Sequence, residues 1–287
     1  MPISDDDIIQ AARSLGVIGA DRHLAHRILA TLCDASLDAR QIAEVIQADP
    51  GIAARVLKVA NSAYYGTPRQ VGTLDRALML MGLDAVRTIA AAACLDRGTP
   101  RHGRPTAIDP RALTLHCVAS AFAAETLGRQ SRRVAPAEVF MAALLHDFGV
   151  PVQERLDPAG LARLVQALAA DEEASPYELE PTLVQVGHAH CAQVILRDWK
   201  LPEPIVRTVM HHDAPARAPA EERDLALMVH LGVQLALQAG FTHALEPRPG
   251  RSARELMLRS LGLEEAAVQS IVDGLAERVH MVVASKA

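Results

Sequence analysis

The sequence predicts an all-α protein of two lobes. Three observations carry that prediction. Apolar residues recur at helical spacing along most of the chain, and no stretch sustains the two-residue alternation of a strand. Hydrophobic residues make up 50% of the chain but aromatics only 3%, so Ala and Leu, the strongest helix formers, must fill the interior. A cluster of Gly, Pro and Arg, Arg97-Gly-Thr-Pro-Arg-His-Gly-Arg-Pro105, separates two helical blocks. The 287 residues suffice for one large or two modest domains and a real core. The lobes are drawn at 1–96 and 107–287.

In order along the chain, Ile42, Val45 and Ile46 form one buried stripe at i, i+3, i+4 spacing. Asp49-Pro50 reads as an N-cap followed by the first helical residue, opening a helix to about Asn61. Thr73 caps a helix to about Met81, Gly82 ends it, and Asp84 caps the next, to about Leu95. In the second block, helices are expected over 110–127, 136–146, 158–170, 181–199, 203–212, 219–239 and 264–283, several of them opened by Pro. Residues 214–220 and 246–251 read as surface connections.

Composition excludes several classes. The longest apolar runs, Ile89–Leu95 and Val139–Leu145, fall far short of the ~18 residues of a membrane span. The acidic start, Met1-Pro2-Ile3-Ser4-Asp5-Asp6-Asp7, is unlike a signal peptide, so a cytoplasmic protein is expected. Cys33, Cys94, Cys117 and Cys191 form no CxxC pair and read as buried, reduced residues. A net charge of −5 and pI near 6.2 disfavour nucleic acid as a partner. The turn at Gly82 within Thr73–Ala93 resembles a helix-turn-helix, but Met81 stands where that motif needs glycine, and the basic residues are only Arg76 and Arg87.

The chemistry lies in the histidines. His146-Asp147 ends the apolar run Ala142–Leu145 and precedes Phe148-Gly149; His116 lies upstream, His188 downstream, and His211-His212 close a later helix. Imidazole and carboxylate are the ligands of a first-row divalent metal in an N/O site, and packed helices can aim them inward from separate segments. Adjacent residues on a helix point about 100° apart, so His146 and Asp147 reach one ion only where the backbone turns. Gly149 supplies such an end. The alternative is a set of buried polar groups that hydrogen-bond one another. His190 and His230 read as ordinary core histidines.

These residues follow the order of the HD-domain metal-dependent phosphohydrolases, and the first lobe narrows the resemblance. Asp49-Pro-Gly-Ile-Ala-Ala-Arg-Val-Leu-Lys-Val-Ala-Asn-Ser-Ala-Tyr-Tyr-Gly66, Thr73-Leu-Asp-Arg-Ala-Leu-Met-Leu-Met-Gly-Leu83, Trp199-Lys-Leu-Pro202 and His211-His212 resemble the HDOD family, the HD-related output domains, over residues 20–240. The resemblance implies an HD-like helical bundle in the C-terminal lobe. It also implies a bacterial signalling module that has lost hydrolase activity and acts through contacts with signalling proteins. No cofactor is expected beyond a divalent metal (Fe, Mn or Zn) in a partial site of His116, His146, Asp147, His188, His211 and His212. The other readings are a metal-dependent phosphohydrolase acting on a phosphoester or nucleotide, and a nucleotide sensor using the same cavity. No receiver, sensor or cyclase segment is recognisable, so input is expected through contacts, a ligand or expression level.

The departures from the family pattern are specific. Val233, in Met228-Val-His-Leu-Gly-Val-Gln-Leu235, stands where the HD pattern has its final metal-ligating Asp. Val150 replaces the Lys of the cyclic-di-GMP phosphodiesterase branch. Asp213-Ala-Pro215 follows the His pair where that branch has Gly-Tyr-Pro. Partner contacts are expected at Asn61, Ser62, Tyr64 and Tyr65, unless these only end a helix and pack between the lobes. Arg97, Arg101 and Arg104 form either a solvated loop or a contact for an acidic partner or phosphate.

Overall fold

A computed structural model describes residues 3–15, 28, 31–32, 38–62, 65, 70–97, 106–171, 174–245 and 251–283, with backbone alone at 84, 94–97, 251–255, 266–267 and 281–283. All regular structure among the described residues is helical. In the first half these are α1 (Asp5–Ser14), α2 (Ala39–Gln47), α3 (Pro50–Ala60), α4 (Leu74–Met81) and α5 (Leu83–Arg97). The second half holds α6 (Pro110–Ser131), α7 (Pro136–Leu145), α8 (Val150–Leu156), α9 (Pro158–Ala170), α10 (Pro176–Leu183), α11 (His188–Asp198) and α12 (Glu203–Met210). After a 3-10 turn at Pro215–Arg217 come α13 (Arg223–Gln238), α14 (Arg251–Ser260) and α15 (Glu265–Val283). No helix among the described residues is long and apolar enough to cross a membrane.

Short side chains at the helix starts explain where the elements begin. Asp49 accepts from the backbone of Gly51 and Ile52 with Pro50 behind it, and Thr73 caps α4 through Arg76 N–H. Asp109-Pro110 and Asp157-Pro158 repeat the device. Ile42 and Ile46 are fully buried on α2, with Val45 half-buried beside them. Gly82, at φ +83, ends α4 through its N–H to Leu78 O, and its own carbonyl accepts from Val86. The next helix therefore starts at Leu83, and Asp84 lies in its first turn instead of capping it.

Other boundaries differ more. The expected helix 181–199 is two helices: Pro181 lies inside α10, and the chain breaks at 184–187 before α11. The helix expected from 219 begins at Arg223, and the connection before it holds the 3-10 turn. α1, α8 and α14 were not expected. Residues 246–250 lie outside the described residues.

α2–α5 pack on one another, and α5 lies against α6, α7 and α15 of the second lobe. The run Ala90–Ala93 on α5 is buried, so small side chains allow that approach. α1 falls within the first lobe as drawn from the sequence, yet it packs on α8 and α11. α6 sits at the centre of the second lobe against α7, α13 and α15. From Leu113 to Gly128 only Leu115 and Thr126 are more than marginally exposed, as expected of a helix surrounded on all sides. Gly232 lets α13 close on it: a Cβ there would fall 2.6 Å from Ala124 Cβ and 2.7 Å from Ser120 O. His116 is therefore carried on a helix enclosed by its neighbours along most of its length.

Candidate metal centre

α7 ends at Leu145, and residues 146–149 form successive turns, with Phe148 N–H donating to Leu145 O and Val150 N–H to Asp147 O. The turning backbone lets both His146 and Asp147 face one cavity. Gly149 is required here for space, since its φ of −80 is ordinary. A Cβ would overlap the His188 carbonyl and lie 2.5 Å from Ala192 N. Without it, the start of α11 closes on the turn and delivers His188, the first residue of that helix. Gly187 has a similar role, because a Cβ there would lie 2.6 Å from Glu180 Oε2. His212 arrives from the end of α12.

The cavity is lined by His116, His146, Asp147, His188, His212, Asp213, Val233, His243 and Leu245. It leaves about 10 Å³ for the centre of a water-sized sphere, room for one water or ion. Four rings are anchored at Nδ1 by acceptors that cannot donate. His116 Nδ1–H donates to Phe241 O (2.8 Å), His146 to Ala143 O (2.6 Å), His188 to Glu180 Oε1 (2.7 Å) and His212 to Val209 O (2.7 Å). Their Nε2 atoms face the cavity. This is how proteins orient metal-ligating histidines, by tying the far ring nitrogen to a carbonyl or carboxylate. His243 is the opposite tautomer: its Nδ1 accepts from Leu245 N–H, so Nε2–H donates to Asp147 Oδ2 at 2.8 Å. It holds the carboxylate in place.

Two triads share Asp147, one with His116 and His146, the other with His188 and His212. Asp147 Oδ2 lies 3.0 Å from His146 Nε2, and Oδ1 lies 3.5 Å from His188 Nε2 and 3.8 Å from His212 Nε2. His188 Nε2 and His212 Nε2 are 3.3 Å apart. With both Nδ1 atoms protonated, two lone pairs would face each other there, so either a proton or a cation must lie between them.

The electrostatics agree. Burial would lower His188, but the Glu180 carboxylate on its Nδ1 overrides this and raises it to about 10. Burial likewise opposes charge on His146, and Asp147 raises it. Burial would raise Asp147, yet His146 beside it and the hydrogen bonds from His146 and His243 hold it well below the usual carboxylate range. Burial lowers His212 and, more strongly, His116. Without an ion the cluster thus favours protons on His146 and His188. Convergent Nε2 lone pairs and carboxylate oxygens fit a first-row divalent metal.

A family model for the HDOD domain matches residues 19–215. This chain belongs to the HDOD domain family. An uncharacterized protein of Treponema pallidum (strain Nichols) is 26% identical over 186 residues, 64% of this chain and 35% of that protein, so the chain spans about a third of its relative. Among solved structures, an HDOD domain protein of unknown function from Geobacter sulfurreducens matches with a TM-score of 0.70 over 91% of this chain and 90% of its own. A candidate phosphohydrolase from Shewanella amazonensis SB2B matches at 0.68 over 98% of both chains. A candidate signal transduction protein from Marinobacter aquaeolei VT8 matches at 0.71 over 91% of this chain and 57% of its own. Identity is 22% in all three, which makes these likenesses of fold.

In this HDOD domain the structure brings together His116, His146, Asp147, His188 and His212. It leaves out His211, which caps α12, is half-buried and does not line the cavity. One residue of the adjacent pair faces in and the other out. Asp213 and His243 enter the site although sequence reasoning did not select them. Asp213 directly follows the His pair, and that adjacency was its signal; His243 lies beyond α13 in a connection, where no spacing rule reaches. Val233 lines the cavity, at the place expected for the lost carboxylate.

Of the expected contact residues, Asn61 is internal to its turn. Its amide donates to Leu57 O and Val71 O and accepts from Val71 N–H. Ser62 Oγ is buried, and Tyr65 packs half-buried against the core. Tyr64, Arg101 and Arg104 lie outside the described residues, as does the side chain of Arg97.

Proposed function

We propose that this HDOD domain is a non-catalytic regulatory module of signal transduction that acts through contacts with signalling proteins, its buried centre holding one divalent ion as part of the scaffold. One observation carries this reading: the donors close around room for a single ion. His116, His146, Asp147, His188 and His212 are each at most 4% exposed, and the described residues that line the cavity include no Lys or Arg to hold a phosphate. The family and the fold shared with a candidate signal transduction protein are in keeping with it. Partner contact is proposed for the first lobe, at Tyr64 and Tyr65 and at Arg97, Arg101 and Arg104.

The convergent Nε2 atoms favour a second reading, a metal-dependent phosphohydrolase in which the bound ion supplies an activated water. The two are separated by loading purified, tag-free protein with Mn, Fe or Zn. It is then assayed against bis-p-nitrophenyl phosphate, cyclic dinucleotides and nucleoside phosphates. The regulatory reading expects no turnover above that of Asp147→Ala. Turnover lost in Asp147→Ala would establish the hydrolase; saturable nucleotide binding without product would make the domain a nucleotide sensor.

A further inference from the structure

Val233 and Asp213 line the same cavity. One is an apolar residue where the HD pattern has its last carboxylate, and the other is a carboxylate directly after the His211-His212 pair. The elements that carry them are neighbours, since α12, which leads to Asp213, packs against α13, which holds Val233. Asp213 Oδ2 lies 3.5 Å from His188 Nε2, and Oδ1 lies 3.5 Å from His212 Nε2. Those two nitrogens are themselves 3.3 Å apart. Two donors each ~2.1 Å from a tetrahedral ion stand about 3.4 Å apart, so these are the spacings of ligands that share an ion. Charge makes the same demand. A dication among neutral imidazoles, out of water, needs carboxylates beside it to offset its charge. Asp147 is one such carboxylate, and position 233 offers none.

We propose that Asp213 is the second carboxylate ligand of this centre, supplying from the turn after α12 what Val233 no longer supplies from α13. The exchange keeps the charge of the site while moving it from a helix to a turn. It explains why five imidazoles and an aspartate persist around a position that has lost its carboxylate. The proposal rests on the cluster being a metal centre, and its test separates the two ideas.

Tag-free wild type, Asp213→Asn and Asp213→Asn/Val233→Asp are titrated with Mn, Fe(II) and Zn by native mass spectrometry and chelator competition. Wild type is expected to bind stoichiometrically. Asp213→Asn should bind at least about 100-fold more weakly, beyond the 10–100-fold that loss of a supporting residue costs. The double variant should regain at least about tenfold of that loss, because its new carboxylate enters the same cavity. Wild-type affinity in Asp213→Asn overturns the assignment of Asp213 but leaves the metal centre standing. A double variant no better than the single overturns the exchange. No metal in the wild type overturns both. Circular dichroism of the metal-free proteins checks folding. If Asp213→Asn does not fold, Asp213→Glu is loaded with Co(II): a visible spectrum different from wild type supports ligation, and an identical one overturns it.

Discussion

Asn61 and His146 both sit just past the end of a helix, and both are polar residues at the edge of an apolar stretch. Their hydrogen-bonding capacity is used in opposite ways. Asn61 commits its amide to the chain around it, donating to Leu57 and Val71 and accepting from Val71, and so closes the turn that follows α3. His146 ties Nδ1 to a carbonyl and aims Nε2 into a cavity, as His116 and His212 do and as His188 does through the Glu180 carboxylate. Saturation marks a structural polar residue. A polar residue that is buried, anchored at one ring nitrogen and aimed through the other into a cavity shared with its like marks a site.

The strongest way to break this contrast is to remove the atom shared by both triads. Asp147→Ala should abolish metal binding. It should also destabilise the metal-free protein by about 3–5 kcal/mol, the usual consequence of leaving a buried ionic partner alone. Urea denaturation in chelator and native mass spectrometry check the two halves separately. A variant as stable as wild type would mean that the cluster is solvated and that Asp147 is no hub.

Asn61→Ala is the matching change in the first lobe, with a smaller effect. It leaves Val71 N–H and O without their side-chain partner, which should cost about 1–2 kcal/mol. Metal affinity should not move. A drop in affinity would show that the turn after α3 feeds the centre, and the contrast between the two regions would fail.

The same physics decides what could be read from sequence. Caps, prolines and apolar periodicity are local, so the starts of α3, α4, α6, α7 and α9 fell at the residues expected. The break before α11 was missed because Pro181 ordinarily opens a helix, whereas here it lies near the end of one. Five of the six expected metal residues converge, since their order along the chain carries the pattern. His211 could not be told from His212, because which of two adjacent rings faces inward depends on where α12 ends. His243 was invisible because it reaches Asp147 across 96 residues from a connection. Nothing local distinguishes it from a surface histidine.

The mildest test concerns the Glu180–His188 pair in metal-free protein. His188 is raised from an ordinary value of 6.5 to about 10, with burial opposing and Glu180 prevailing. A folded-state value above the unfolded one means that the native state holds the proton more tightly. The contribution is therefore complete below pH 6.5 and is lost as pH rises through about 10. Between pH 7 and 9 the stability of wild type should fall by about 2.5 kcal/mol on this account, given about 1.4 kcal/mol per unit for a fully linked proton. The buried thiols of Cys117 and Cys191 add a fall of their own, because they ionise more readily when unfolded. Glu180→Gln isolates the pair. It keeps the shape, removes the charge that raises His188, and should flatten the part of the slope that the thiols do not explain. Urea midpoints at pH 7, 8 and 9 in chelator measure both proteins. Equal slopes would show that Glu180 does not hold the proton on His188, and would leave Asp147 and Asp213, each 3.5 Å from its Nε2, as the carboxylates beside it.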